Sequence, residues 1–181
     1  MIFTELKLPG AYAIDLEPVR DHRGFNARAF CEREFAAQGI DVRMVQTNVI
    51  LNHAKGTLRG FHWQAPPKLE SKLFRCTRGA IYDVIIDMRP GSETFEQWTA
   101  IELSSESYRM LYVPGQFAQG FVTLSDDTEL TYQVSEFYSP GVEHGIRWND
   151  PYFEIEWPVD VEVISDKDAS WPDYTPGSAA S

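Results

Sequence analysis

Gly56-Thr57-Leu58-Arg59-Gly60-Phe61-His62-Trp63-Gln64, followed after two prolines by Lys72-Leu73-Phe74, is the stretch around which the chain is organised. Read as a strand, its side chains alternate, which puts Leu58, Gly60 and His62 on one face and Arg59, Phe61 and Trp63 on the other. Gly56 and Gly60 leave bare backbone where a ligand or another strand can come close. A histidine on such a surface suits the wall of a pocket. It equally suits a core or edge histidine whose ring is satisfied by its neighbours.

Working outward, the runs Tyr12–Leu16, Val42–Leu51, Thr57–Trp63, Lys72–Cys76, Ala80–Met88, Trp98–Leu103, Arg109–Val113, Phe121–Leu124 and Leu130–Val134 are short and rich in β-branched and aromatic residues. Turn residues divide them at close spacing, which predicts an all-β sandwich or barrel. Between the first two of them come a polar turn, Arg20-Asp21-His22-Arg23-Gly24, and an extended piece ending near Phe30. Glu32 to Gln38, closed by Gly39, is the one helix the pattern predicts. Thr77-Arg78-Gly79 reads as a hairpin turn. In Ile81-Tyr82-Asp83-Val84-Ile85-Ile86-Asp87, one face mixes Ile81 and Ile85 with Asp83 and Asp87, which a bulge or a polar pocket would explain. Trp148 to Pro158 predicts an irregular aromatic wrap over the sheet, and residues 172–181 are expected to fray. No repeat or linker divides residues 1–181, so a single domain is expected.

Sixteen basic and 27 acidic residues give a formal net charge of -11, which argues against nucleic acid or an anionic membrane as a partner. The imbalance is local. From Lys55 to Arg78 the basic residues Lys55, Arg59, Lys68, Lys72, Arg75 and Arg78 meet one acid, Glu70. From Ser125 onward thirteen acids meet only Arg147 and Lys167. The basic cluster is either a solvated face or an anion site. Cys31 and Cys76 have neither CxxC spacing nor the density of a disulfide scaffold, no stretch is long enough to span a membrane, and no signal pattern opens the chain. A cytoplasmic location is expected.

Taken in order, the motifs Asp21-x-Arg23-Gly24-Phe25, Gln46-x-Asn48, the stretch Gly56–Gln64, Lys72-Leu73, Gly79-x-Ile81-x-Asp83-Val84, Pro114-x-x-Phe117-Ala118-x-Gly120-Phe121, Tyr132, Gly145-Ile146-x-Trp148-Asn149-Asp150-Pro151 and Lys167-Asp168 resemble the dTDP-4-dehydrorhamnose 3,5-epimerase family. The resemblance runs from about Thr4 to Trp171. It implies a cupin fold, a double-stranded β-helix of jelly-roll type with a few short helices, and a homodimer formed by strand exchange. It also implies cofactor-free epimerisation of a nucleotide-diphospho-4-keto-6-deoxyhexose at C3, C5 or both, in deoxysugar biosynthesis.

By similarity, His62 is the base, Asp168 holds its other ring nitrogen, Lys72 puts positive charge near the C4 oxygen, and Tyr132 returns the proton from the opposite face. Arg23, Gln46, Asn48 and Arg59 match positions that contact the nucleotide diphosphate and sugar. Tyr138 matches one that packs on the base, and Glu143 and Lys167 match further contacts. Three residues depart from the family's pattern: Gln119 stands where a histidine is usual, Asn26 where an aromatic is usual, and Arg28 where an acid is common. Gln119 can form a hydrogen bond but cannot carry a proton. Asn26 and Arg28 lie in a segment that in the family reaches the neighbouring subunit's nucleotide site, so the three departures point to a shifted nucleotide or sugar preference.

Two other classes fit a cupin fold, because cupins host many functions. A metal-dependent cupin enzyme carries two histidines one residue apart, a glutamate and a third histidine. Here the corresponding positions include His62, Gln64 and Gln119, leaving one imidazole, and no metal is expected. A nucleotide-sugar-binding cupin without catalysis would have no need of an acid and a base on opposite faces.

Overall fold

The computed structural model describes residues 1–177. Its strands are β1 (Ile2–Glu5), β2 (Tyr12–Asp15), β3 (Val19–Asp21), β4 (Gly24–Asn26), β5 (Gln46–Asn52), β6 (Leu58–Gln64), β7 (Lys72–Arg78), β8 (Ala80–Asp87), β9 (Trp98–Ser104), β10 (Met110–Val113), β11 (Phe117–Thr123), β12 (Thr128–Val134) and β13 (Glu143–Gly145). Two short helices, α1 (Glu32–Ala36) and α2 (Asp166–Ala169), complete the regular elements. A six-stranded sheet runs β1-β2-β10-β7-β12-β5 and a five-stranded sheet runs β13-β6-β11-β8-β9, all pairs antiparallel, while β3 and β4 form a separate hairpin.

The sheets pack face to face. Phe74 and Cys76 of β7, Ile81 and Ile85 of β8, Phe121 of β11 and Leu130 of β12 interlock between them. Burying one such phenylalanine or isoleucine contributes about 1.5–3 kcal/mol, so this layer is a main source of stability. The outer faces are covered too. Phe35 of α1 packs with Ile14, Leu73, Met110 and Tyr112 over the six-stranded sheet. Ile146, Phe153 and Trp157 pack with Phe61, Trp63, Val84 and Ile86 over the other, forming the expected aromatic wrap. Burial on both faces accounts for the nearly unbroken apolar run of β8.

Three expectations are corrected. Thr77-Arg78-Gly79 is not a hairpin: β7 and β8 belong to different sheets, and the chain crosses between them at Gly79. Glycine fits that corner because φ is +77 and an added Cβ would lie 2.5 Å from Ser125 Oγ. The segment after Trp171 does not fray as far as Gly177: the Tyr174 amide donates to Asp150 at 2.6 Å and the Gly177 amide to Glu96 at 2.6 Å. The rest of the expected tail, residues 178–181, lies outside the described residues.

The third correction concerns β6. His62 pairs with Gln119 and Arg59 with Phe121, so two steps along β11 answer three along β6. The extra residue is a β-bulge, and it reverses the alternation between Arg59 and His62. Both side chains therefore line one cavity, His62 half-buried and Arg59 exposed, where strict alternation had set them on opposite faces. Gly60 makes the bulge possible. Its φ is +117, and a Cβ there would stand 2.5 Å from the Gly120 Cα.

Candidate active site

The interior grades from apolar to polar along the strands. On β7 the inward residues run Cys76, Phe74, Lys72 and on β5 they run Ile50, Asn48, Gln46, while on β12 Tyr132 stands between the apolar Leu130 and Val134. At the polar end the sheets enclose a cavity of about 480 Å³. His62, Tyr132, Asp168, Lys72, Gln46, Asn48, Arg59, Gln119, Tyr138, Glu143 and Lys167 all line it, along with Glu70 and Ser165, which the sequence reading had not selected. Phe74 and Phe121 form its base, with ring centroids 6.4 Å apart.

His62 Nε2 lies 2.6 Å from Asp168 Oδ1. The Gly60 amide, exposed by the bulge, donates to Asp168 Oδ2 at 3.2 Å. Ser165 caps α2 by accepting from the Asp168 amide at 3.1 Å, which fixes where the carboxylate projects. Burial works to raise the Asp168 carboxyl, but the hydrogen bond and charge of His62, with the Gly60 amide and Ser165, hold it below the ordinary range. An ionised Asp168 accepts a proton-bearing Nε2, leaving Nδ1 as the free basic nitrogen of the ring.

Tyr132 approaches from the six-stranded sheet and stacks on Phe74, with centroids 4.8 Å apart and planes 18° apart. Burial and the nearby Glu70 charge raise its phenol, against the opposing pull of Arg59 and Asn48. The phenol thus keeps its proton at neutral pH. Lys72 Nζ sits 3.6 Å from Glu70 Oε2 and donates to the His62 carbonyl at 3.4 Å. Glu70 is raised chiefly by burial, with Lys72 pulling the other way.

Arg59 donates Nε to the neutral Asn52 carboxamide at 2.8 Å and has no carboxylate partner among the described residues. Its charge is free for an anion, but of the basic cluster only Arg59 and Lys72 line this cavity; Lys68 pairs with Glu136 at 3.3 Å, Arg78 with Glu129 at 3.9 Å, and Arg75 lies over the Tyr108 ring, so the cluster divides between the site and other surfaces. Across the mouth, Lys167 pairs with Glu143 at 2.6 Å, and the Tyr138 hydroxyl donates to the same carboxylate at 3.2 Å.

Gln119 lies opposite His62 in the pairing and gives its Nε2 to Asp83 at 2.9 and 3.1 Å, while its buried Oε1 has no partner among the described residues. Burial pushes the Asp83 carboxyl up to about 8, with Gln119 and Lys72 opposing. The mixed face of β8 is therefore a polar pocket and not a bulge, since β8 pairs with β11 without a break in register. Asp87, at the far end of that face, is held by Arg89, Ser92 and Thr94.

Arg23 and Arg28 are not brought to this cavity. Arg23 stands on the exposed β3–β4 turn and binds Asp21 at 2.5 Å, and Arg28 binds Glu34 at 2.5 Å. Among the described residues, no group of three His, Cys, Asp or Glu is placed to hold a metal ion, and no helix is long and apolar enough to cross a membrane.

The two facing sheets and their covered outer faces make this a cupin-type β-sandwich, with a carboxylate-backed histidine and a phenol on opposite walls of one cavity. The sequence pattern of the dTDP-4-dehydrorhamnose 3,5-epimerases matches residues 5–175, and the chain belongs to that family. A dTDP-4-dehydrorhamnose 3,5-epimerase of Sinorhizobium fredii is 41% identical over 173 residues, which is 95% of this chain and 89% of that protein. The crystal structure of the Bacillus anthracis dTDP-4-dehydrorhamnose 3,5-epimerase with TDP and PPi bound superposes with a TM-score of 0.92 at 38% identity, over 96% of this chain and 99% of that one. The epimerase of Legionella pneumophila in complex with dTDP-4-keto-L-rhamnose superposes with a TM-score of 0.86 at 34% identity, over 93% and 90% of the two chains.

Proposed function

We propose that this chain epimerises a nucleotide-diphospho-4-keto-6-deoxyhexose at C3, C5 or both, without a cofactor, in deoxysugar biosynthesis. The observation that carries the reading is the division of the acid and base between the sheets: His62 with Asp168 belongs to one wall and Tyr132 to the other. A C–H next to a ketone is acidic because the carbanion delocalises onto the oxygen as an enolate. Inverting the carbon needs a base on one face and an acid on the other. His62 Nδ1 takes the proton, and ionised Asp168 stabilises the imidazolium that results. The Lys72 ammonium stands by the enolate oxygen, where negative charge develops. Tyr132 gives its phenolic proton to the opposite face, and solvent exchange restores both groups.

Arg59 holds the diphosphate, Gln46, Asn48 and Gln119 line the sugar, Tyr138 stacks on the base, and Glu143 and Lys167 flank the mouth. Arg23 and Arg28 act on the cavity of a neighbouring protomer in a homodimer formed by strand exchange. Supporting this is the exposure of apolar residues on the two edge strands of the six-stranded sheet, Ile2 on β1 and Val49 and Leu51 on β5. We take the chain to be a single domain working in the cytoplasm.

The test is incubation with dTDP-4-keto-6-deoxyglucose in deuterium oxide, followed by NMR. Deuterium at C3 or C5, with inversion at the same carbon, is expected. An unchanged sugar, with the CDP-linked as well as the dTDP-linked 4-keto sugar, would overturn the reading.

A further inference from the structure

Gly145 and Trp171 have no place in the chemistry above, yet their contact lies beside it. Gly145 of β13 pairs directly with His62 of β6. Residues opposite one another in an antiparallel pair project to the same face, so a side chain at position 145 would stand next to the His62 ring. That space is filled by Trp171: a Cβ built on Gly145 would lie 2.0 Å from its indole Cε2 and 2.3 Å from its Nε1. Among the described residues the buried Nε1 has no hydrogen-bond partner, so packing seats the ring.

Trp171 follows Asp168 by three residues, on the segment that leaves α2. The same segment is tied to β13 a second time, through Lys167 and Glu143 at 2.6 Å. Ile146, the residue after β13, is fixed to β6 by paired bonds with Phe61 at 3.1 and 3.2 Å.

We propose that Gly145 and Trp171 form a packing lock that holds Asp168 on His62, with Gly145 a positioning residue that must lack a side chain. The lock rests on the reading of His62 and Asp168 as the proton-transfer pair, but its geometry can be tested apart from catalysis. A methyl at position 145 would lift the indole and carry α2 with it, opening the 2.6 Å contact between Asp168 and His62. Misplacing a catalytic partner by about 1 Å can cost on the order of 100-fold in rate.

The test uses the full chain with ¹⁵N-labelled histidine, comparing wild type, Gly145→Ala, Trp171→Leu and the double variant Gly145→Ala/Trp171→Leu. In wild type the His62 ring should show one tautomer, protonated and hydrogen-bonded at Nε2. Each single variant should show mixed tautomers, and turnover should fall about 100-fold while dTDP affinity is retained. The double variant, in which a smaller side chain makes room for the methyl, should recover the Nε2 signal and part of the rate. An unchanged His62 signal in both single variants, or a double variant no better than Gly145→Ala, would overturn the lock. Wild type with the Nε2 signal but no turnover would instead sink the proposed function and leave the lock standing.

Discussion

At the scale of single residues, the cavity separates roles that two substitutions can tell apart. His62→Ala should abolish deuterium uptake at both C3 and C5, because it removes the base that Asp168 backs. Tyr132→Phe should spare some exchange while slowing inversion, since abstraction does not need the acid on the far wall; equal loss of both would contradict that division. Asp83 gives a pH signature. Its carboxyl, pushed up to about 8 by burial, keeps in the folded protein a proton that the unfolded chain releases near its ordinary value of 3.8. Across that window the folded state binds more protons, so stability falls as pH rises and levels off above about 8. The slope is on the order of 1 kcal/mol per pH unit, and Asp83→Asn should remove it. Urea unfolding at about pH 5 and about pH 7.5 measures the difference; identical slopes in both proteins would rule the account out.

At the scale of elements, the β6 bulge shows what a linear reading can and cannot see. The positions of β2 and of β5 to β12 and the all-β class were legible, because β-branched and aromatic runs between turn residues signal strands directly, whereas β1 was not read at all. Tyr132 lies inward with Leu130 and Val134 as simple alternation requires, since β12 pairs with β5 in unbroken register. Arg59 was assigned to the wrong face because a bulge is a relation between two strands, and its cause lies partly in Gly120, on another strand. For the same reason Thr77-Arg78-Gly79 looked like a hairpin: glycine marks a sharp corner, but which sheet the next strand joins depends on distant partners. β13 and α2 are too short to carry a periodic pattern, and Glu70 and Ser165 declare a role only through the groups they face. The bulge also yields a stability prediction. Gly60→Ala combines an unfavourable φ with a backbone collision at 2.5 Å. It should destabilise the fold by about 3 kcal/mol or more, measured by chemical denaturation. A loss under about 0.5 kcal/mol would mean that the bulge tolerates a side chain.

At the scale of the whole molecule, the exposed β3–β4 hairpin and sheet edges are the parts a single chain leaves unused. Sedimentation should give twice the 20.7 kDa of one chain, and Arg23→Ala should weaken dTDP binding although Arg23 lies outside its own chain's cavity. A monomer in sedimentation, or unchanged dTDP affinity in Arg23→Ala, would oppose the assembly. His62 and Asp168 are separated by 106 positions, and α2 is built after every strand of both sheets. Contacts between distant parts of a chain form late, because loop closure must be met before they stabilise anything. During synthesis the sandwich can therefore assemble around its cavity while the base still lacks its carboxylate. Catalytic competence arrives as the closing event of folding, and activity in a translation mixture should lag behind the appearance of compact, protease-resistant chains.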